Sequence, residues 1–154
     1  MKIKEAILKA AKEVDYIDAK ILMKYILDKP ENYLISNSND ELAGENEFRY
    51  FKNIEEIKNG MPLQYITNSQ EFMGEKFYVD NNVLIPQPDT EVLVEKTLEI
   101  IKKYVDKNNN PELVREENKK IKILDLCTGS GAIAISLKKY LTLLDINSEI
   151  TASD

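Results

Sequence analysis

The sequence predicts an α/β protein in three parts: a small N-terminal helical bundle, a β-hairpin linker, and the start of a doubly wound parallel sheet. Three observations predict it. Apolar residues recur at helical spacing through roughly the first 60 residues. Short β-prone runs then flank a turn signal, Asp80-Asn81-Asn82. Finally, an apolar run at 121–126 passes through a glycine-rich turn into a new helical pattern. The expected divisions are 1–67, 68–88 and 89–154.

The first helix carries Ile3, Ala6, Ile7, Ala10 and Val14 on one stripe. Asp15 is placed to cap a second, bearing Ile21, Leu22, Tyr25 and Ile26. Pro30 suits the first turn of a short third helix through Tyr33 and Leu34. Asp40 suits the cap of a longer fourth one with Phe48, Phe51, Ile54 and Ile57, which Gly60 ends. These stripes read as a bundle core. Such a bundle is small enough to need packing against the rest of the chain.

Beyond Gly60, Lys76–Val79 and Val83–Ile85 read as the two strands of a hairpin. Pro86 and Pro88 stiffen the approach to a further helix. It starts at Asp89 and Thr90, and its stripe is Val94, Leu98, Ile101 and Val105. Residues 106–120 are polar and contain Asn108-Asn109-Asn110-Pro111, a loop pattern. A buried strand comes next, with Ile121, Ile123, Leu124 and Leu126. After the glycine turn comes a helix with Ile133, Leu137, Tyr140 and Leu141, then a second strand ending at Asp154. Two strand–helix steps do not bury both faces of a parallel sheet, so the sequence is expected to be a truncated piece of a longer domain.

Composition narrows the function. With 31% charged and 43% hydrophobic residues, the 154-residue chain reads as a soluble globular protein. A net charge of −6 argues against a broad nucleic-acid surface. One cysteine excludes an internal disulfide, and the absence of histidine excludes His-based triads and metal sites. No apolar run approaches the roughly 18 residues of a membrane span, and no signal peptide is visible. The expected location is the cytoplasm.

The chemistry concentrates at Asp125-Leu126-Cys127-Thr128-Gly129-Ser130-Gly131. Gly129 and Gly131 let the backbone approach a ligand, and the free N–H groups of the next helix face the same spot. This is a nucleotide-type cofactor loop. Gly129-x-Gly131-x-x-Ala134, with Asp154 20 residues further on, also fits the dinucleotide fingerprint. The loop alone leaves both cofactor classes open. Asp125 tilts the choice: a carboxylate repels a pyrophosphate but attracts the ammonium and sulfonium of S-adenosylmethionine. The plainer role for Asp125 is to tie down the loop. Cys127 reads as a small residue filling the turn.

Four motifs then fall in order. They are Gly60-Met61-Pro62-Leu63-Gln64-Tyr65-Ile66-Thr67, Glu71-Phe72-Met73-Gly74, Val83-Leu84-Ile85-Pro86-Gln87-Pro88-Asp89-Thr90-Glu91, and the loop itself. Together they resemble the HemK/PrmC family of protein-(glutamine-N5) methyltransferases, which act on peptide chain release factors. The resemblance covers the whole chain. It implies a helical substrate-docking domain, a hairpin linker, and a Rossmann-like S-adenosylmethionine-dependent domain. It further implies methyl transfer to the side-chain amide of the glutamine in the release factor's Gly-Gly-Gln motif. Asp125, Cys127, Thr128, Gly129, Ser130 and Gly131 would surround the methionine part of the cofactor. Asp154 would accept from the ribose hydroxyls, and Thr90 and Glu91 would sit near the cofactor. Family members usually carry Arg at the position of Gln87. The family's Asn-Pro-Pro-Tyr motif, which holds the substrate amide, is expected downstream of Asp154, so no catalytic residue is assigned within 1–154. Two alternatives are a non-enzymatic release-factor-binding fragment and an adenine amino-methyltransferase of nucleic acid. Acidity and the N-terminal motifs count against the second.

Overall fold

The computed structural model describes residues 1–107 and 120–154. It mixes helices with small sheets and divides into two compact units, Met1–Asn68 and Ser69–Asp154.

The first unit is helical: α1 (Ile3–Ala10), α2 (Tyr16–Leu27), α3 (Glu31–Ser36), α4 (Gly44–Lys58) and α5 (Leu63–Thr67). Asp15 caps α2, its carboxylate accepting from the Ile17 N–H at 2.7 Å. On α2 the buried residues are Ala19, Leu22, Met23 and Ile26, an i, i+3, i+4, i+7 stripe. Ile21 and Tyr25 each lie one residue, about 100°, off that stripe and are exposed, contrary to the sequence reading.

Helix α4 brings two corrections. It starts at Gly44 with Ala43 before it, not at an Asp40 cap. Asp40 is used otherwise: its carbonyl accepts from the Ile3 N–H at 3.1 Å, beside a bridge between Lys2 and Glu41. The core face of α4 is Tyr50 and Ile54, with Phe51 and Ile57 partly buried. Phe48 stands two residues from Tyr50, on the far side of the helix, and is 72% exposed. Pro30 flanks α3 as its N-cap rather than lying in its first turn.

The second unit holds β1 (Gln70–Phe72), β2 (Glu75–Phe77), α6 (Pro88–Lys107), β3 (Ile121–Leu126), α7 (Ala132–Leu143) and β4 (Ser148–Ser153). The hairpin lies earlier than expected. β1 and β2 pair antiparallel around Met73-Gly74, with Phe72 opposite Glu75. Both turn residues have positive φ, +51° and +73°, as a two-residue type I′ turn requires. Asp80 does make a turn, accepting from the Asn82 N–H at 2.9 Å, but it joins no strand pair: of the expected Lys76–Val79 strand only Lys76 and Phe77 are in β2, and Val83–Ile85 forms none. Pro86 and Pro88 remove two backbone donors there. Asp106 and Lys107 extend α6; the rest of the expected 106–120 loop up to 119 lies outside the described residues.

β3 and β4 pair in parallel, Ile121 with Ser148 through Leu126 with Ser153, joined through α7. The core of this unit gathers Phe72, Phe77, Val94, Leu98, Ile101, Leu137, Leu141 and Ile146. Leu124 and Leu126 are 60% and 67% exposed, so β3 leaves apolar side chains uncovered.

Candidate functional site

The glycine loop forms because β3 ends at Leu126 and α7 begins at Ala132, leaving five residues to reverse the chain. Three of them take positive φ: Cys127 (+59°), Gly129 (+53°) and Gly131 (+76°). Only Cys127 carries a Cβ into that region. Gly131 is the N-cap of α7; a Cβ there would stand 3.3 Å from Ile135 Cδ1.

The end of β4 holds the loop. The Thr128 N–H donates to the Ser153 carbonyl at 3.0 Å, and the Gly129 N–H donates to Asp154 Oδ1 at 3.2 Å. The Gly131 N–H closes back on the Thr128 carbonyl at 2.9 Å. Inside the turn, the Thr128 hydroxyl donates to Asp125 Oδ2 at 2.7 Å. Asp125 is buried, while Cys127 and Asp154 are exposed. The structure thus brings together Asp125, Cys127, Thr128, Gly129, Ser130, Gly131 and Asp154. Asp125 ties the loop through a side-chain hydroxyl.

Thr90 and Glu91 lie in the first turn of α6. The Thr90 N–H bonds the Gln87 carbonyl at 3.0 Å. The Glu91 carboxylate accepts from the Met73 N–H at 2.6 Å, so it faces the hairpin turn. Gln87 turns its amide onto the Ile85 carbonyl at 3.0 Å, a local contact. Two neighbours of the loop escaped sequence reasoning. A Cβ at Gly129 would lie 3.7 Å from Val83 Cγ2, which places Val83 against the loop. Ser153 acts through its backbone carbonyl, which no side-chain pattern reveals.

Two carboxylates therefore flank the loop, one buried and one exposed. Such a cradle suits a ligand that presents a cation and hydroxyl donors better than one that presents phosphates. Among the described residues, no group of three or more Cys, Asp or Glu is arranged to hold a metal, and no helix is long and apolar enough to cross a membrane.

Comparison with known proteins adds to this geometry. Residues 4–67 match the PrmC N-terminal domain. A release factor glutamine methyltransferase of Clostridium acetobutylicum is 43% identical over 147 residues, covering 91% of this chain and 47% of that protein. The resemblance to the HemK/PrmC family thus holds over most of the chain. Another such relative, the release factor glutamine methyltransferase of Clostridium botulinum, is 38% identical over 96% of the chain and 46% of its own length. A bifunctional methyltransferase of Rickettsia bellii is 34% identical over 90% of the chain and 26% of that protein. The chain spans about half the length of the first two relatives.

Proposed function

We propose that this chain is the N-terminal part of a HemK/PrmC enzyme that uses S-adenosylmethionine to methylate the Gly-Gly-Gln glutamine amide of peptide chain release factors. The observation that carries the reading is the similarity to release factor glutamine methyltransferases over more than nine-tenths of the chain. In this reading residues 1–67 dock the release factor, 68–88 form the hairpin linker, and 89–154 open a Rossmann-like domain. The uncovered Leu124 and Leu126 suit a sheet that carries further strands and a covering helix. The work is that of a cytoplasmic protein of translation.

The cofactor supplies an electrophilic methyl group on a sulfonium. The loop residues Cys127, Thr128, Gly129, Ser130 and Gly131 bind its methionine end, with Asp125 giving the negative field a cation needs. Asp154 uses one carboxylate oxygen on the Gly129 N–H and keeps lone pairs for ribose hydroxyls. Thr90, in the first turn of α6, completes the cofactor end of the site. An amide nitrogen is a poor nucleophile because its lone pair is delocalised, so the reaction depends on holding that nitrogen in line with the methyl. The residues that hold it lie outside 1–154, and the 154-residue chain alone is inactive.

The test is to incubate the full-length protein with a release factor and labelled S-adenosylmethionine, then map the label by mass spectrometry. Label on the Gly-Gly-Gln glutamine is expected. Label on nucleic acid or on another side chain overturns the assignment.

A further inference from the structure

We propose that Glu91 is a positioning residue, which acts by latching the Met73–Gly74 hairpin turn instead of touching a ligand. Two-residue hairpin turns favour Asn-Gly because both positions need positive φ. Gly74 meets that need freely. Met73, at φ +51°, does not. Its side chain explains why a methionine is there: it packs on the core around Phe72 and Phe77. A residue in a sparsely populated conformation persists only where its surroundings over-determine it.

Here they do. The Met73 N–H donates to Glu91 on α6 at 2.6 Å, and the Met73 carbonyl accepts from the Tyr140 hydroxyl on α7 at 3.2 Å. Both backbone groups of the strained residue are held by side chains from two helices. An ion pair between Lys139 and Glu75 adds a third tie one residue past the turn. One oxygen of the Glu91 carboxylate, Oε1, is committed to the Met73 amide, which turns the side chain toward the hairpin. The latch also reaches the glycine loop by way of the chain. The segment from the hairpin to α6 buries Val79 fully and lays Val83 against Gly129. Where the hairpin sits therefore bears on where that segment sits. This consequence for ligand binding rests on the methyltransferase reading; the latch does not.

The experiment has two arms. The first measures amide hydrogen exchange in the 154-residue chain. In Glu91→Ala, exchange of the Met73 amide is expected to rise at least about tenfold, the scale of a lost charge-assisted bond. Glu91→Gln retains most of the protection, because the Gln carbonyl oxygen accepts the same bond. Tyr140→Phe, which keeps the ring, gives a smaller rise at the same amide. Unchanged Met73 exchange in Glu91→Ala, or equally fast exchange in Glu91→Gln, overturns the proposal. The second arm titrates S-adenosylmethionine into the full-length protein. Glu91→Gln is expected to bind within about twofold of wild type, as its latch is kept. A loss in Glu91→Gln equal to that in Glu91→Ala, with Met73 still protected, puts the carboxylate on the ligand and overturns the proposal. Wild type that does not bind S-adenosylmethionine sinks the methyltransferase reading, and the exchange arm then decides the latch.

Discussion

The Thr128 hydroxyl donates a 2.7 Å hydrogen bond to the carboxylate of Asp125, a residue only 8% exposed. The pair spans the turn from the last strand residues to the glycine loop. Removing the donor leaves a buried carboxylate short of a partner, which costs more than the bond itself contributes. Thr128→Val keeps the shape and is expected to destabilise the second unit by about 1.5–3 kcal/mol. Urea unfolding followed by NMR signals of residues 121–154 measures it. A shift below about 0.5 kcal/mol, within the usual range of surface changes, would show that other groups already satisfy Asp125.

Gly131 and Gly129 differ in what a side chain would meet. Alanine at either is strained by positive φ, by roughly 1–2 kcal/mol. At Gly131 the new Cβ also presses on Ile135 Cδ1 at 3.3 Å, whereas at Gly129 it meets Val83 at an ordinary 3.7 Å. Gly131→Ala is therefore expected to be the more destabilising of the two by denaturant midpoint. The reverse order would mean that Ile135 yields freely.

In the first unit, fully buried Tyr50 donates its phenol to the Ala19 carbonyl at 3.0 Å. Tyr50→Phe should cost about 1 kcal/mol. Burial also pushes the Tyr50 phenol well above its ordinary pKa of 10.0. The folded state thus binds this proton more tightly than the unfolded chain does. The stabilisation is complete below pH 10 and declines above it as unfolded chains ionise. Unfolding titrations from pH 9 to 11 should show a steeper alkaline fall in wild type than in Tyr50→Phe; parallel curves would refute the linkage.

Glu99 sits between Lys103 at 2.6 Å and Lys96 at 2.8 Å on the exposed face of α6. The hydrogen bond from Lys103, then that from Lys96, holds its carboxyl down at about 2. A depressed carboxyl contributes stability above its unfolded pKa and loses it as pH falls toward the folded one, so the window runs from about 4.5 to about 2. Carbon-detected NMR titration checks the value. Lys103→Met should raise it more than Lys96→Met does, and high salt should narrow the difference.

If Asp154 holds the ribose as proposed, Asp154→Ala in the full-length protein is expected to weaken S-adenosylmethionine by one to a few decades, at about 1.4 kcal/mol per decade, the scale of lost charge-assisted bonds. Cys127→Ala should change affinity by well under one decade, since alanine fills the same left-handed turn position. A 2′-deoxyribose analogue is the control. It should bind wild type weakly and lose little further in Asp154→Ala; equal sensitivity of both proteins to the missing hydroxyl would remove Asp154 from the ribose.

Much of this was legible in the sequence where one local signal sufficed. The Asp15 cap, the glycine loop and the start of α7 each come from short-range chemistry. The hairpin did not, because Met73-Gly74 hides a turn that usually announces itself as Asn-Gly, while Asp80-Asn81-Asn82 advertised one that joins no strands. The phase of α4 also misled: Phe48 is as apolar as Tyr50, and only tertiary packing decides which is inside. In the site, residue types pointed to the loop. The Ser153 carbonyl and Val83 became visible only through backbone geometry.

The tie between Gly129 and Asp154 spans 25 positions along the chain. Contacts of that separation close late, because a longer loop must be ordered before they form. The hairpin is far more local: even its outermost pair, Gln70 with Phe77, closes within a single short stretch of chain. During synthesis its two strands have each other long before the glycine loop has its partner. The bonds inside the turn, Thr128 to Asp125 and Gly131 to Thr128, are local, but the Gly129 amide has its partner only once the end of β4 is in place. That amide is thus a late reporter: a chain whose Gly129 amide is protected has already assembled the strand–helix–strand unit around it.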